Sequence, residues 1–400
     1  MNTILSIVIP TRNRFSYVKS AIRSVLAIGS PEIELVIQDS SDGSDLEKWI
    51  SSNIHDKRLV YNYTKPPLSM TDNFNNAVGL ATGEYVCVIG DDDGVNPEIV
   101  AAAYWARDNS LDAVAPSLSG ASYCWPDFCS RDYGQDHAGK LFVNKFTGEI
   151  AFPNIDAEMV KCARSAGQNK FGLPKPYFGL IRRSCFLKVK EVVGCFFQGV
   201  SPDVFGALTN ANYMKRVCII DYPLVVPGSS GGSNSGRSAL GRHKGNLKDD
   251  PHMDGYDMSQ WPEGVPEFFS VQTVWAEAAV AALHAVRRND LLAKFNWELL
   301  HALCIVYHPD YLTITIRSFR TVVRRYKPNY LWIYGNLIKN VLLVSLKRIA
   351  RFIYRKLFPN RGVREKQFGC VDNIESAVYE LTAYLNRSGY SFASIIEKRN

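Results

Sequence analysis

No Cys-x-x-Cys pair occurs among the nine cysteines, which stand at positions 87, 124, 129, 162, 185, 195, 218, 304 and 370. Their odd number and scattered spacing exclude a disulfide-stapled scaffold and fit a reducing compartment. Cys124 and Cys129 have no second pair to complete a zinc site, and Cys87 and Cys218 lie in apolar runs where a thiol is a small hydrophobe. Long hydrophobic runs are also missing. The longest, 331–346, is broken by Asn336, Lys339 and Asn340 and is too short and too polar to span a bilayer. The N-terminal run 5–9 meets Pro10 and Arg12 at once, so it reads as a first strand and not as a secretory signal. Acidic residues are nearly absent from one segment: 317–366 holds fourteen Lys and Arg against the single acid Glu365, a balance of +13. The whole chain carries +7, so the remainder carries −6 and is not basic. No internal repeat is visible.

What is present is a globular composition, 46% hydrophobic and 21% charged over 400 residues, long enough for two or three domains. Through about residue 115, strand and helix signals alternate. Strands are expected at 4–9, 33–37, 58–63, 84–89 and 111–116. Helices are expected at 15–28 with Gly29 as a stop, at about 45–50, after a cap at Thr71 or Asp72 and before Gly83, and at 98–107 with Pro97 in its first turn. Such alternation means an α/β domain with a mainly parallel sheet, whose ligand binds at the carboxyl ends of the strands. Residues 117–230 are less regular. A Gly/Ser loop at 228–236 is followed by a polar stretch to about 265, expected to be a flexible loop. From Glu267 onward Gly and Pro become scarce and helical patterns dominate.

Three strands end in polar clusters: Thr11-Arg12-Asn13-Arg14, Asp39-Ser40-Ser41-Asp42 and Asp91-Asp92-Asp93. In a parallel sheet these ends meet on one rim. The first offers cations and donors suited to phosphates, and the second a carboxylate able to accept hydrogen bonds from a nucleobase. Three adjacent carboxylates repel one another unless a cation neutralises them, and oxygen-rich sites suit Mg²⁺ or Mn²⁺ bridging a diphosphate. Each cluster also has a plainer reading, as helix caps, turns or surface charge; their combination tells against it.

In this order and spacing the chain resembles a family 2 glycosyltransferase of the GT-A fold. The resemblance rests on Pro10-Thr11-Arg12-Asn13-Arg14, on Asp39 before its Ser/Asp/Gly cluster, on Asn73-Phe74-Asn75-Asn76-Ala77 with Ala81-Thr82-Gly83-Glu84-Tyr85, and on Ile89-Gly90-Asp91-Asp92-Asp93-Gly94. It covers about residues 4–115 with specific motifs and reaches more weakly to about 235. It implies a Rossmann-like sheet flanked by helices, with a catalytic domain at 1–235 (nucleotide-binding half 1–115, acceptor half 116–235) and a helical region at 266–400. It implies that Pro10, Thr11, Arg12 and Arg14 line the nucleotide-sugar pocket, that Asp39 contacts the base, and that Asp72 or Asn73 approaches the nucleotide. Of the triplet, Asp91 would hold the ribose and Asp93 the Mn²⁺ or Mg²⁺, with Asp92 a competitor for the metal because the usual Asp-x-Asp register is ambiguous here. Inverting transfer needs a carboxylate base, and the resemblance points to Asp203 in Ser201-Pro202-Asp203-Val204. Tyr177-Phe178-Gly179 is a candidate border of the acceptor pocket, and the 228–236 loop with Arg242 and His243 a candidate cover for the diphosphate.

The resemblance therefore implies transfer of a sugar from a nucleoside-diphosphate donor, expected to be a UDP-sugar, to a hydroxyl of a glycan or lipid-linked glycan in bacterial surface-polysaccharide synthesis. In the basic C-terminal segment cations fall three and four apart among Trp, Tyr, Phe, Leu and Ile, a composition suited to lying on anionic lipid. A cytoplasmic protein, peripheral on the inner face of the cell membrane, is expected. No nucleic-acid motif accompanies the charge. A nucleotidyltransferase acting on sugar phosphates is the enzymatic alternative, though Pro10–Arg14 lacks its glycine-rich loop. A non-catalytic glycan- or membrane-binding module is the other, opposed by the intact triplet and Asp203.

Overall fold

The computed structural model describes residues 3–116, 120–169, 172–241, 244–250, 253–326, 329–357 and 364–397. Continuous aliphatic runs make strands buried on both faces, as a sheet covered by helices requires: every residue of Leu5–Thr11 and Ile33–Asp39 is buried. The eight-stranded sheet runs in the order Leu59–Tyr63, Ile33–Asp39, Leu5–Thr11, Tyr85–Val88, Leu180–Arg182, Ala113–Pro116, Val217–Ile220, Ile150–Ala151. The first four are parallel to one another, as are Ala113–Pro116 and Val217–Ile220. Leu180–Arg182 runs antiparallel to both its neighbours, and Ile150–Ala151 to Val217–Ile220. The sheet is thus mainly parallel, as expected.

The expected helices form at Phe15–Leu26, Asp45–Asn53, Met70–Leu80 and Ile99–Asp108. In the first, Val18, Ala21, Ile22 and Val25 turn one stripe onto the sheet. Met70–Leu80 begins earlier than its sequence signals indicate. Ser69 is the cap, its hydroxyl oxygen accepting from the Asp72 N–H at 3.0 Å, while Thr71 donates its hydroxyl to the Gly199 carbonyl at 2.7 Å.

Two arrangements depart from the sequence expectations. The stretch expected to be flexible, 236–265, packs where described: Leu247, Met253 and Trp261 are buried in the core, and Arg237 pairs with Asp250 at 2.6 Å. The C-terminal region is mainly helical, as expected, but it is not wholly separate from the sheet domain. Helices Val271–Ala285, Trp297–Tyr307, Leu312–Tyr326 and Tyr330–Leu357 pack on one side, but the chain then returns to the sheet domain. Strand Arg364–Phe368 pairs antiparallel with Lys140–Asn144, and helix Ile374–Arg387 covers Phe15–Leu26 and Gly94. Ile374, Val378, Leu381 and Leu385 are buried there. At about 1.5–3 kcal/mol per buried aliphatic side chain, these four match the whole margin of about 5–15 kcal/mol by which a domain stays folded. The helix is integral to the first domain.

Helix Val271–Ala285 is tied to the sheet domain through Glu277, which accepts from the Val200 N–H at 3.0 Å and from the Tyr256 hydroxyl at 3.1 Å. Burial pushes the Glu277 carboxyl up to about 7, although both hydrogen bonds pull it down. A carboxyl raised on folding contributes stability that is full below its unfolded value, near 4.5, and is lost as pH rises through about 7. The melting temperature should therefore fall between pH 5 and 8 by a few degrees more in the wild type than in Glu277→Gln, measured by thermal unfolding across that range.

Candidate active site

The strand ends meet because the turns behind them are pinned together. Asn13 takes the left-handed conformation (φ 57°) that its turn requires, which asparagine tolerates better than most residues. Its N–H donates to Ser41 Oγ (2.8 Å), its amide donates to Asp42 (2.6 Å), and it accepts from the Asp42 N–H (2.9 Å). The first and second strand ends are thereby joined, and the third joins them through charge. Thr11 donates to Asp91 Oδ2 at 2.8 Å, Arg14 Nε donates to Asp91 Oδ1 at 2.5 Å, and Arg14 Nη2 reaches Asp92 Oδ2 at 2.9 Å. Ser230 completes the cluster, accepting from Arg14 at 2.7 Å and donating to Asp92 Oδ2 at 2.5 Å.

Asp93 faces the other way. Its two oxygens accept from the Gly90 and Gly228 N–H groups, at 2.7 and 2.6 Å. The backbone must come close to do this: a Cβ on Gly90 would stand 2.7 Å from the Tyr177 hydroxyl, and one on Gly228 1.8 Å from the Asp92 carbonyl. The charges balance locally. Burial pushes the Asp91 carboxyl up to about 6, with Arg14 opposing the rise and Asp92 adding to it. Burial and then Asp92 hold the Asp93 carboxyl well above the usual carboxylate range. Burial works against the Arg14 charge, but Asp91 and Asp92 outweigh it and keep the guanidinium firmly protonated.

These groups open on a cavity of about 490 Å³, a size typical of small-molecule sites. Of the residues expected at the site, Pro10, Thr11, Arg12, Arg14, Asn73, Asp91 and Asp92 line it; Asp39, Asp72, Asp93 and Asp203 do not. Asp39 is buried one residue behind the wall formed by Ser40, with its oxygens accepting from the Ser41 N–H (2.8 Å) and the Tyr61 hydroxyl (3.0 Å). Asp72 accepts the Ser69 hydroxyl at 2.7 Å and faces a neighbouring cavity. Asn73 donates to the Thr11 carbonyl at 3.2 Å, while its buried Oδ1 has no donor among the described residues. Asp203 lies in the first turn of helix Pro202–Ala211, and the helix starts where the sequence places it.

Tyr177 lines the cavity and stacks on Phe74 at 6.0 Å, and Phe74 in turn meets Phe197 edge-on at 6.1 Å. Phe178 holds a left-handed φ of 68°, a conformation costing an aromatic residue about 1–3 kcal/mol. Gly232 and Ser233 put the 228–236 loop on the cavity wall; Arg242 and His243 lie outside the described residues. Sequence reasoning missed Ser230, Met70 and Asp254. Nothing marks Ser230 among the four serines of its loop until the fold brings it to Asp92. Among the described residues, no three or more His, Cys, Asp or Glu side chains are gathered as for a metal ion. Asp91 and Asp92 face the cavity side by side, and Asp254 also lines it.

With this geometry in view, the comparison with known proteins is direct. The family model described as glycosyl transferase family 2 matches residues 6–130. This segment is similar to that family. Curated relatives include the GalNAc(5)-diNAcBac-PP-undecaprenol beta-1,3-glucosyltransferase of Campylobacter jejuni, 32% identical over 95 residues, which are 22% of this chain and 29% of that protein. Another is WcaA of Escherichia coli K12, a glycosyl transferase ascribed to colanic acid biosynthesis, 33% identical over 98 residues, 24% of this chain and 35% of that protein. The chain thus spans about a third of the length of these relatives. The crystal structure of S. aureus TarS 1–349 with UDP-GlcNAc aligns over 85% of this chain and 89% of that one, at 15% identity and a TM-score of 0.48. The mainly parallel α/β sheet with flanking helices is as the sequence leads one to expect, and the family 2 match covers Thr11, Arg14 and the whole triplet. It ends before Asp203 and Ser230.

Gly228→Ala should force the loop off the triplet, breaking the Asp93 and Ser230 contacts and costing about 1–3 kcal/mol as overpacking does. Gly29→Ala, whose added carbon meets nothing within 4 Å, should leave the melting temperature within a degree of wild type in the same assay.

Proposed function

We propose that the protein is an inverting glycosyltransferase that moves a sugar from a nucleoside-diphosphate donor, with a UDP-sugar favoured, to a hydroxyl of a glycan or lipid-linked glycan. The observation that carries this reading is the Arg14–Asp91–Asp92–Ser230 cluster at the converging ends of parallel strands, opening on a cavity that Arg12 also lines. The activities for which the two relatives are named, glucosyl transfer to a lipid-linked glycan and glycosyl transfer in colanic acid synthesis, support it.

In this reading the diphosphate lies against Arg12 and Arg14, and Asp91 takes the ribose hydroxyls. The Asn73 amide oxygen, buried on the wall without a donor, is available to an N–H or O–H of the nucleoside. Asp39, with both oxygens engaged, is read as shaping the turn at Ser40 more than as touching the base. The donor set fits a divalent ion: Mg²⁺ and Mn²⁺ sites on nucleotides need only one or two protein carboxylates beside the phosphate oxygens. Asp92 is the better holder, since it faces the cavity and its Oδ1 accepts no hydrogen bond among the described residues, whereas Asp93 is committed to Gly90 and Gly228. When bound, such an ion would offset the charge developing on the departing diphosphate. Asp203 is assigned the base that takes the acceptor's hydroxyl proton as its oxygen attacks the anomeric carbon. The setting proposed is the inner face of a bacterial cell membrane, with the basic segment 317–366 toward anionic lipid. A nucleotidyltransferase is disfavoured because the turn from Pro10 to Arg14 has no glycine to admit a phosphate-cradling loop.

A nucleoside diphosphate should raise the melting temperature more with Mn²⁺ than without, the rise growing with the logarithm of affinity. Asp92→Asn should abolish the metal-dependent part of that rise. Asp203→Asn should keep the rise in full yet lower transfer by about 10²–10⁴-fold, the usual contribution of a general base. If no nucleotide shifts the melting temperature with metal present, the donor site is elsewhere.

A further inference from the structure

Helix Tyr330–Leu357 has two faces with different fates. Ile333, Leu337 and Val344 turn inward, where Ile333 joins Phe319 and Val323 of helix Leu312–Tyr326 in a small buried cluster. The opposite face carries Leu331, Ile338, Leu342, Leu346, Ile349 and Ile353, spaced seven, four, four, three and four residues apart, so that they align on one side. All six are exposed, Leu331 to 89% and Leu346 to 62%. At 1.5 Å per residue the stripe is about 33 Å long. A soluble monomer rarely leaves so large an apolar patch open unless something covers it.

The charge pattern says what covers it. The helix contains Lys339, Lys347, Arg348, Arg351, Arg355 and Lys356 and no acid. Lys339 and Lys356 border the stripe by helical angle, whereas Lys347 and Arg351 fall on the far side, in line with Ile333 and Val344. A second copy seated on this stripe would bring two acid-free, cationic helices together, and like charges across an interface oppose docking. No described helix is long and apolar enough to cross a bilayer, so the stripe does not mark a span. An exposed aliphatic face with aromatic ends and lysines at its borders matches the interfacial region of an anionic bilayer.

We infer that helix Tyr330–Leu357 inserts its Leu331–Ile353 stripe among the acyl chains of an anionic leaflet, so that apolar burial holds the protein on the membrane and the cations select its charge. The inference rests on the proposed membrane setting and deepens it, replacing a contact through basic residues alone by insertion of an apolar face that lysines border. The outer residues are half or more exposed and none lines the nucleotide cavity, so changing them should leave the fold and that cavity undisturbed.

The protein is mixed with phosphatidylglycerol or phosphatidylcholine vesicles and sedimented. Wild type is expected to bind phosphatidylglycerol vesicles, and Leu342→Ser/Ile349→Ser to bind them at least about tenfold more weakly, as lost acyl-chain burial requires. Lys339→Gln/Lys356→Gln should lose the preference for phosphatidylglycerol over phosphatidylcholine. All variants should keep the nucleotide-induced rise in melting temperature, so that a failure here is separate from a failure of the donor-site reading. Full vesicle binding by Leu342→Ser/Ile349→Ser would overturn insertion and leave surface charge as the only contact. A wild type that ignores both vesicles but forms a dimer in sedimentation velocity, dissolved by Leu342→Ser/Ile349→Ser, would overturn it in favour of a second copy.

Discussion

Three consecutive carboxylates buried at the end of one strand are an electrostatic liability, and the surrounding architecture is organised to relieve it. Two are directed at a guanidinium fixed by the turn after the first strand, and the third is turned onto two backbone N–H groups. Losing one partner of a buried ion pair costs about 3–5 kcal/mol because the remaining charge is stranded. The strand order, the turn through Asn13 and the close approaches at Gly90 and Gly228 all serve this neutralisation. The balance is local and incomplete: Asp91 stays above the ordinary carboxylate range despite Arg14, because burial outweighs the pairing. A cationic ligand arriving at Asp92 would therefore meet a site already poised to accept positive charge.

The cluster also links the two halves of the first domain. Thr11 and Arg14 come from its start, the triplet from its middle, and Gly228 and Ser230 from the loop that follows the last long strand. Family 2 similarity ends at residue 130, so the similar part supplies the carboxylates and the cation, while the part beyond supplies the loop that closes over them. Variation after residue 130 can reshape the cavity wall and leave the neutralised core of the site intact.

Much of this was legible in the sequence, for identifiable reasons. Strands buried on both faces read as unbroken aliphatic runs, and helices such as Phe15–Leu26 as an apolar stripe, so the parallel part of the sheet could be drawn in advance. The rim could be drawn too, since parallel strands must present their polar ends together. What escaped depends on contacts between distant segments. Leu180–Arg182 is three residues long and enters antiparallel between two strands that its own composition does not reveal. Ser230 is one of several loop serines, and Asp93 resembles its neighbours until the glycines around it define its direction. The stretch 236–265 looked mobile because it is polar, yet a few buried side chains, Trp261 among them, suffice to anchor it. The basic C-terminal helix was legible as amphipathic, but which of its faces lies open is decided only by packing on helices Trp297–Tyr307 and Leu312–Tyr326.

The return of the chain to the first domain has a temporal side. Ile374 and Val378 close over Gly94, and Arg364–Phe368 completes a sheet begun at Ala121–Cys124. During synthesis at about 5–20 residues per second, the early strands wait tens of seconds for these late partners. Over that interval the apolar face of Phe15–Leu26 and the edge of Lys140–Asn144 stand open to wrong partners. The protein is vulnerable while it is being made, and its N-terminal half depends on its last helices for protection from aggregation.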